Sequence, residues 1–385
     1  MKNFDVVIIG GGASGCFVAL NCPQEKNIAI IEKDDRLAKK LLVTGNGRCN
    51  ITNLNCSSKF YNQNIDCFLS QFDCQNAISF FDNLGLKTYA DEENRVYPVS
   101  NSAKSVVQVL NFWLNKQKIQ SFCNQKVMSL AKQNDGFVVK TQTDEFYANK
   151  VVVATGTGFL DVLSGFNLEK SKTMPSLVSL VTKQKNKRWD GVKISNCLVT
   201  CLCNGQTTSE YGEVLFKENG LSGICIFNLS CVFARQKSFL GKVYLNLLPN
   251  YTLEKLISIL NKNKSLFDDV QTMLCGLLHK EVANEVMYRA GLDMFFKCKD
   301  LTNKNILDLA NNINKLEFDV NGYSSNNQVT NGGIKLDCLT SNLESKQSKN
   351  LFFCGEICDV DGNCGGYNLQ WAWTSGFIVA KGLSQ

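Results

Sequence analysis

Residues 4–22, FDVVIIGGGASGCFVALNC, constrain the fold more than any other stretch of the chain. The apolar run at residues 6–9 predicts a buried strand, and a helix is predicted to begin near Ala13. Between them, Gly10, Gly12 and Gly15 form the pattern G-x-G-x-x-G. The first glycine makes a tight turn, the second lets the backbone approach a pyrophosphate, and the third packs helix on strand. Free N–H groups and the positive dipole at the helix N-terminus suit the same phosphates. The pattern predicts a βαβ unit that binds a dinucleotide.

A second apolar run, NIAIIEK, supports this prediction because it ends in an acidic residue. Glu32 follows Gly15 by 17 residues, where a carboxylate can bind the ribose hydroxyls of a dinucleotide. A strand, a glycine turn, a helix and this acid are together more specific than a lone glycine motif. The alternative is a glycine turn in a βαβ unit that binds no nucleotide.

Two later segments favour FAD over NAD. The segment NKVVVATGTG predicts a third buried strand that returns beside the first and ends in a turn at Gly156 and Gly158. Near the C-terminus, NLFFCGEICDVDGNCGGYNLQWAWTSG predicts a strand, a turn, an acidic loop and a helix after Gly366. The N-terminus of that helix would stabilise negative charge on a reduced flavin. Because no second G-x-G-x-x-G is present, NAD(P)H is expected to bind only transiently, or electrons come from another donor.

Composition and charge narrow the class of protein. The 385 residues are 44% hydrophobic, enough for two or three globular domains. The net charge of +6 permits an anionic partner without requiring one. The 18 cysteines follow neither a disulfide framework nor a metal-binding spacing, so reduced thiols and no metal site are expected. No apolar run reaches the ~18 residues of a membrane span, and a cytoplasmic protein is predicted.

A block after the first predicted βαβ unit carries a family resemblance. Residues 41–53, LLVTGNGRCNITN, are similar to the signature of the YhiN/HI0933-like flavoproteins, the BaiN/RdsA family of FAD-dependent oxidoreductases. FKENGLSGICIFNLS, NGGIKLDCLTSNLESK and GEICDVDGNCGGYNLQWAWTSG resemble later blocks of that family in the same order. The resemblance implies a signature loop that lies against the flavin. In that loop Gly45 and Gly47 would allow close backbone approach, and Arg48, Cys49 and Asn50 would face the ring system.

The sequence departs from the family in two loops. Residues 156–175 are fewer than the family usually has there, and FKENGLSGI lacks a histidine that the family carries in that block. The chain has one histidine, His279, in a predicted helix where a structural role is expected. A histidine pair or triad is therefore excluded.

The glycine motif, the acid after it and the resemblance together predict the FAD contacts. These residues are Gly10, Gly12, Ala13, Ser14, Gly15, Glu32, Lys33, Lys40, Leu41, Thr44, Gly45, Gly47, Arg48, Cys49, Asn50, Val127, Ala154, Thr155, Gly156, Gly355, Glu356, Asp359, Gly365, Gly366, Tyr367 and Asn368.

Changes of hydrophobic period, together with the resemblance, predict an α/β fold with a discontinuous Rossmann-type FAD-binding domain at residues 1–171 and 331–385. An inserted β-rich domain is expected at residues 172–250 and 316–330, because MPSLVSLV, VKISNCLVTCLCNG, EVLF and GICIFNLS read as strands. From Tyr251 the apolar spacing becomes helical, as at Leu253, Leu256, Ile257 and Leu260. Residues 251–315 are therefore expected to form a small helical insert.

Two residues are candidates for supplying a proton. Cys49 shares a loop with Arg48, whose charge is expected to lower the thiol pKa, and the thiol would protonate a substrate carbon. The alternative is a small side chain that packs under the flavin. Tyr367 is the second candidate, and its alternative role is to orient the flavin.

A cationic segment is the remaining candidate for binding. Residues 183–188, KQKNKR, place four cations within six residues, which would contact phosphates of a nucleic acid. The alternative is a solvated loop without a partner.

These features predict an FAD-dependent oxidoreductase that reduces a carbon–carbon double bond by hydride transfer from flavin N5, with NAD(P)H as the expected electron donor. Through the resemblance, two substrate classes stay open. A ribosomal-RNA uridine, reduced to dihydrouridine, is preferred, and a small conjugated enone of the bile-acid or steroid kind is the alternative. Amine oxidation and flavin binding without turnover are further alternatives.

Overall fold

The computed structural model describes residues 1–325 and 328–384. The chain divides into two compact units, Met1–Met174 with Val329–Gln385, and Pro175–Gln328. The strands within the described residues are β1 (Lys2–Ile9), β2 (Ile28–Ile31), β3 (Thr52–Asn53), β4 (Thr88–Ala90), β5 (Arg95–Pro98), β6 (Gln120–Phe122), β7 (Val127–Gln133), β8 (Gly136–Thr141), β9 (Glu145–Val153), β10 (Lys170–Ser176), β11 (Leu180–Thr182), β12 (Lys193–Cys203), β13 (Gln206–Lys217), β14 (Gly220–Ser222), β15 (Gly241–Asn246), β16 (Leu316–Tyr323), β17 (Val329–Ile334) and β18 (Leu351–Phe353).

The α-helices are α1 (Ala13–Asn21), α2 (Asp66–Leu69), α3 (Cys74–Asn83), α4 (Ala103–Lys116), α5 (Ile224–Arg235), α6 (Leu253–Asn263), α7 (Val270–Cys275), α8 (Lys280–Arg289), α9 (Asn303–Asn314) and α10 (Tyr367–Leu383).

The first unit is built on a seven-stranded sheet in the order β6-β2-β1-β9-β8-β7, with β18 also paired to β9. Strands β2, β1, β9 and β18 run parallel, which requires crossover connections between them. Val6, Val7 and Ile8 are completely buried, as expected where both faces of a parallel sheet are covered. Two predictions are confirmed: the third strand lies beside the first, and the C-terminal strand joins the same sheet.

Helices α1 and α10 pack closely against each other in this unit. The rings of Phe17 and Trp373 have centroids 5.3 Å apart, and a Cβ at Gly376 would lie 3.1 Å from the carbonyl oxygen of Ser14. Residues 370–376 of α10 are all buried, which explains why this helix has no amphipathic pattern.

Two tryptophans of α10 fix the segments that form the site. The Trp371 indole N–H donates to the Gly355 carbonyl at 3.0 Å. The Trp373 indole N–H donates to the Ile51 carbonyl at 2.8 Å. The loop after β18 and the segment before β3 are thereby tied to one helix.

The second unit contains a closed barrel in the order β11-β14-β13-β12-β15-β16. Alternate residues of β12 fill its interior, since Cys197, Val199 and Cys201 are fully buried. The predicted fold class, a Rossmann-type α/β fold with an inserted β-rich region, is confirmed. The predicted helices of the insert are confirmed as well: α6 buries Leu256 and Leu260. The division of the chain into three domains stays a prediction.

One predicted strand is wrong. GICIFNLS forms the start of α5, which begins after Gly223, a residue with a φ of 109°. Cys225, Ile226, Leu229 and Phe233 are buried along the helix. A short apolar run fits a buried strand or a buried helix equally well until its packing partners are known.

Candidate active site

The three motif glycines differ in the space around them. Gly10 has a φ of 104°, and a Cβ there would lie 2.6 Å from the Ala154 carbonyl oxygen. A Cβ at Gly15 would lie 2.0 Å from the Gly10 carbonyl oxygen, whereas a Cβ at Gly12 would meet nothing within 4 Å. Gly10 and Gly15 are therefore required by packing. Gly12, the N-cap of α1 ahead of Ala13, instead borders open space.

Glu32 is fixed at the same turn. It is 8% exposed, and its carboxylate accepts hydrogen bonds from the N–H groups of Gly11 at 2.7 Å and Asp34 at 2.8 Å. The Gln125 N–H donates to the Glu32 carbonyl at 2.8 Å. Val127, the first residue of β7, follows two residues after Gln125 and so lies close to this turn. The Lys33 side chain is exposed.

The predicted signature loop follows an irregular course. Lys39–Gly47 forms short 3₁₀ turns that are interrupted at Thr44, Gly45 and Asn46. A Cβ at Gly45, where φ is 54°, would lie 2.6 Å from the Asn50 nitrogen, so this position requires glycine. Hydrogen bonds from the Thr44 hydroxyl to the Leu41 carbonyl at 2.7 Å and from the Cys49 N–H to the Thr44 carbonyl at 3.0 Å hold the loop together.

Arg48 is held against an aromatic ring. Its guanidinium carbon lies 4.1 Å from the centroid of Tyr97, and its Nη2 donates to the Tyr97 hydroxyl at 3.2 Å. In the part of the chain that the structure describes, no acidic residue forms an ion pair with Arg48.

The expected lowering of the Cys49 pKa is wrong. Cys49 is 0% exposed, and burial raises the pKa of its thiol to about 12, with a partly opposing hydrogen bond to Thr44. Desolvation dominates because the Arg48 guanidinium is directed to Tyr97. The thiol is neutral at pH 7.

Asn50 presents an unusual polar atom. It is 7% exposed, and its Oδ1 is buried without a hydrogen-bond donor among the described residues. A Cβ at Gly366, where φ is 102°, would lie 2.9 Å from this oxygen and 2.5 Å from the Thr52 carbonyl oxygen. The N-terminus of α10 therefore lies directly against the signature loop. A buried acceptor without a donor costs free energy unless a ligand or water supplies one.

The loop after β18 meets both the first turn and the signature loop. A Cβ at Gly355 would lie 2.5 Å from the Ser14 hydroxyl oxygen. Glu356 forms an ion pair with Lys40 at 2.9 Å and accepts a hydrogen bond from the Thr330 N–H at 3.2 Å. These contacts bring together predicted site residues that lie more than 300 positions apart.

Several residues predicted to contact FAD form hydrogen bonds to other groups of the protein. The Asp359 carboxylate accepts a hydrogen bond from the Ser171 hydroxyl. Asn368 bonds both backbone groups of Gly362, at 2.9 and 2.8 Å. Two turns hold the predicted contacts Ala154, Thr155, Gly156 and Gly365. The Ala154 carbonyl lies against Gly10, and a Cβ at Gly156 would meet nothing within 4 Å. A Cβ at Gly365 would lie 3.5 Å from the Tyr367 ring.

Tyr367 is packed among aromatic rings. Its ring stacks on Phe60 with centroids 4.5 Å apart, and its carbonyl accepts a hydrogen bond from the Tyr61 hydroxyl at 2.8 Å. Burial raises the pKa of Tyr367 to about 12. Both candidate proton donors are therefore neutral acids at pH 7.

Sequence reasoning missed Tyr97 and the buried pair of Asn331 and Asp361, whose amide donates to the carboxylate at 2.7 Å. Nothing in the pattern RVYP marks Tyr97, because its contact with Arg48 depends on the pairing of β5 with β3. Asn331 and Asp361 stand within the two C-terminal family-like blocks, which is the signal that could have identified them.

Other predicted features lie outside this site. His279 is an exposed N-cap of α8 in the second unit, where its Nδ1 accepts a hydrogen bond from the Glu281 N–H at 3.3 Å, so its prediction inside a helix is corrected to the helix start. Among residues 1–325 and 328–384, no cluster of acidic, histidine and cysteine side chains could hold a metal ion. Over the same residues, no helix has the length and apolar character to cross a membrane.

The chain is similar to known proteins over nearly its whole length. Residues 4–382 match the family model described as the HI0933-like protein Rossmann domain. The chain is 30% identical to the 3-dehydro-bile acid delta(4,6)-reductase of Clostridium scindens, over 98% of each chain. It is 27% identical to the ribosomal RNA dihydrouridine synthase of Haemophilus influenzae, also over 98% of each. The crystal structure of 3-ketosteroid delta1-dehydrogenase from Sterolibacterium denitrificans superposes with a TM-score of 0.54 at 12% identity, covering 100% of both chains, which shows a shared fold.

Proposed function

The chain belongs to the HI0933-like family of flavin-dependent oxidoreductases, and we propose that it uses FAD to reduce a carbon–carbon double bond conjugated to a carbonyl group. One observation carries the proposal. The glycine turn, the signature loop and the start of α10 meet in one unit, beside open space at Gly12 and an unpartnered buried acceptor at Asn50.

The residues present fit FAD. The open position at Gly12 leaves room for a pyrophosphate at the N-terminus of α1, and Glu32 stands at the same turn for a ribose. Asn50 Oδ1 offers an acceptor to a flavin N–H, beside the α10 N-terminus. Bound FAD, once reduced, supplies a hydride. The neutral thiol of Cys49 and the neutral phenol of Tyr367 are the two candidates for donating a proton to the second carbon of the double bond, next to the carbon that takes the hydride.

An RNA uridine is the preferred substrate. Lys183, Lys185, Lys187 and Arg188 are all exposed, and none of them forms an ion pair within the described residues. Cations that form no ion pair remain available for backbone phosphates. The relative named as a ribosomal RNA dihydrouridine synthase supports this preference.

A small enone is the second candidate. It is favoured by the 30% identity to the relative named as a bile-acid reductase. Uridine and such an enone share a double bond conjugated to a carbonyl, so the same site chemistry serves both. NAD(P)H is proposed as a transient electron donor. Action in the reducing cytoplasm is part of the proposal, because the spacing of the 18 cysteines in the sequence fits no disulfide framework.

Mass spectrometry of ribosomal RNA from cells with and without the gene tests the substrate. We expect the deletion strain to lose one dihydrouridine, and a plasmid copy of the wild-type gene to restore it. In parallel, reduced holoenzyme is mixed with conjugated enones without oxygen, and flavin reoxidation is followed.

The outcomes separate the proposals. If the dihydrouridine content of ribosomal RNA is unchanged and an enone rapidly reoxidises the flavin, the substrate is a small molecule and not RNA. Unchanged RNA without reoxidation by any enone would contradict double-bond reduction altogether. The purified protein should release FAD on denaturation, and recovery of FMN would contradict the cofactor.

A further inference from the structure

Arg48 is a half-buried cation whose charge no acidic side chain neutralises within the described part of the chain. A guanidinium carries five N–H donors and cannot lose its proton. The hydrogen bond to Tyr97 accounts for one of these donors. An arginine that is stacked on a ring and keeps further donors suits an oxygen that carries negative charge.

Tyr97 fixes the direction of this cation. It is 3% exposed and lies in β5, where the Ile51 N–H donates to the adjacent Val96 carbonyl at 2.8 Å. A Cβ at Gly45 would lie 3.3 Å from the Tyr97 ring, so the ring packs tightly against the signature loop. The orientation of Arg48 is therefore set by a sheet, which is more rigid than the loop that carries the arginine.

The burial of neighbouring residues indicates which molecule Arg48 meets. Asn46 and Gly47 are exposed, Arg48 is intermediate, and Cys49 and Asn50 are buried. The buried end of this series contacts Gly366 at the start of α10, which the proposed function assigns to the flavin. The Arg48 guanidinium lies towards the solvent-accessible end of the signature loop, where a substrate would enter.

We propose that Arg48 binds the carbonyl oxygen conjugated to the reduced double bond, and that Tyr97 is a positioning residue for Arg48. The inference rests on the proposed function. Bound FAD, in its reduced form, would supply a hydride to the β-carbon and be oxidised in return. The π pair of the carbon–carbon double bond would then form a double bond between the α-carbon and the carbonyl carbon, and the π pair of the carbonyl group would move onto its oxygen, which becomes negatively charged. The guanidinium stabilises this charge. The carbonyl re-forms when the α-carbon takes a proton from a neutral acid of the site.

Binding of a phenolate tests the role of Arg48 without turnover. An aromatic oxyanion such as that of p-cyanophenol resembles the charged oxygen, and its binding to oxidised holoenzyme is followed by the flavin absorption spectrum. We expect Arg48→Gln to weaken phenolate binding about 10- to 100-fold, because a charge-assisted hydrogen bond is lost. Tyr97→Phe keeps the ring and loses the hydroxyl acceptor, and should weaken binding about 3- to 10-fold.

Arg95→Gln is the matched control. Arg95 lies two residues from Tyr97 on the same strand, but it is ion-paired with Asp91 at 2.8 Å and Glu93 at 2.9 Å. Its replacement should change phenolate affinity by no more than about twofold. Equal losses in Arg95→Gln and Arg48→Gln would overturn the inference, as would a wild-type holoenzyme that binds no phenolate.

Reoxidation of the reduced variants separates an effect on substrate from an effect on flavin. Arg48→Gln should slow reoxidation by the conjugated substrate about 10²-fold or more, while ferricyanide, which has no carbonyl, reoxidises it at the wild-type rate. Equal slowing with both acceptors, together with a shifted flavin potential, would assign Arg48 to the flavin and overturn the inference. Should the protein reduce no alkene while Arg48 still governs phenolate binding, the proposed function fails and the anion site stands.

Discussion

At the scale of single residues, Gly12 is the glycine of the G-x-G-x-x-G motif whose lack of a side chain the folded chain does not explain. Gly10 and Gly15 are glycines because the backbone of neighbouring segments occupies the space of a Cβ. Gly12 has a φ of −75° and open space beside it, so a larger residue could be accommodated without distortion. A pyrophosphate at the N-terminus of α1 would give a physical reason for glycine at this point.

Replacing Gly12 by valine should therefore remove FAD without unfolding the protein. The branched side chain fills the space expected for the pyrophosphate, and FAD affinity should fall about 10²-fold or more, since a clash replaces several backbone hydrogen bonds. The free energy of unfolding of the apo-protein should fall by about 1 kcal/mol or less.

The measurement is the FAD content of purified protein together with urea unfolding of the apo-protein. Gly165→Val is the control. As at Gly12, a Cβ at Gly165 would meet nothing within 4 Å, and Gly165 is exposed and lies outside the predicted site. Full FAD content in Gly12→Val would contradict the assigned pyrophosphate position.

At the scale of elements, the start of α10 joins the fold to the site. Its N-cap, Gly366, combines a left-handed backbone with an approach to Thr52 and Asn50 that leaves no space for a Cβ. The helix itself is buried against α1, so its N-terminus cannot move away without disturbing that packing.

Gly366→Ala should thus lower both stability and FAD affinity. Gly85→Ala provides a matched comparison, since Gly85 has a φ of 86° but open space around a Cβ. Left-handed strain alone should cost Gly85→Ala about 1–2 kcal/mol in the free energy of unfolding. Gly366→Ala should cost more, because the contact with the Thr52 carbonyl adds to the strain.

Urea unfolding and FAD titration of the two variants check this expectation. Equal losses of stability would mean that the loop around Thr52 yields to the new methyl group. Normal FAD affinity in Gly366→Ala would mean that the N-terminus of α10 does not contact the flavin.

At the scale of the whole molecule, charge is distributed unevenly along the chain. The net charge is only +6, yet the segment at residues 183–188 carries four exposed cations. A local cluster attracts phosphates more strongly than the same charge spread over the surface.

Binding of a ribosomal RNA fragment should therefore depend on this segment. The triple replacement of Lys183, Lys185 and Lys187 by glutamine should reduce the slope of log affinity against log salt concentration by up to about 2 to 3 units, close to 0.7–0.9 for each lost phosphate contact. Filter binding at several salt concentrations measures the slope.

The control removes the same charge elsewhere. Lys255, Lys262 and Lys304 are exposed on the helices of the insert, and their joint replacement by glutamine should leave the slope nearly unchanged. An equal change in both triple variants would show that net charge alone matters and that the segment is no binding surface.

The sequence by itself determined the elements whose signals are local. The first strand, glycine turn and helix are encoded within residues 4–22, because a tight turn demands glycine and a buried parallel strand demands an apolar run. The helical spacing that begins at Leu253 and the strand KLEFDV were readable for the same reason.

Only the tertiary structure decided the features that depend on contacts between distant segments. The run after Gly223 became helix α5 because of what it packs against. Burial raises the pKa of the Cys49 thiol, although a cation stands one residue away in the sequence. Arg48 contacts Tyr97 only because β3 pairs with β5. The Asn50 Oδ1 is buried without a hydrogen-bond donor from the described part of the chain where the start of α10 packs against it. Burial and pairing are properties of the folded chain, and no local pattern of residues contains them.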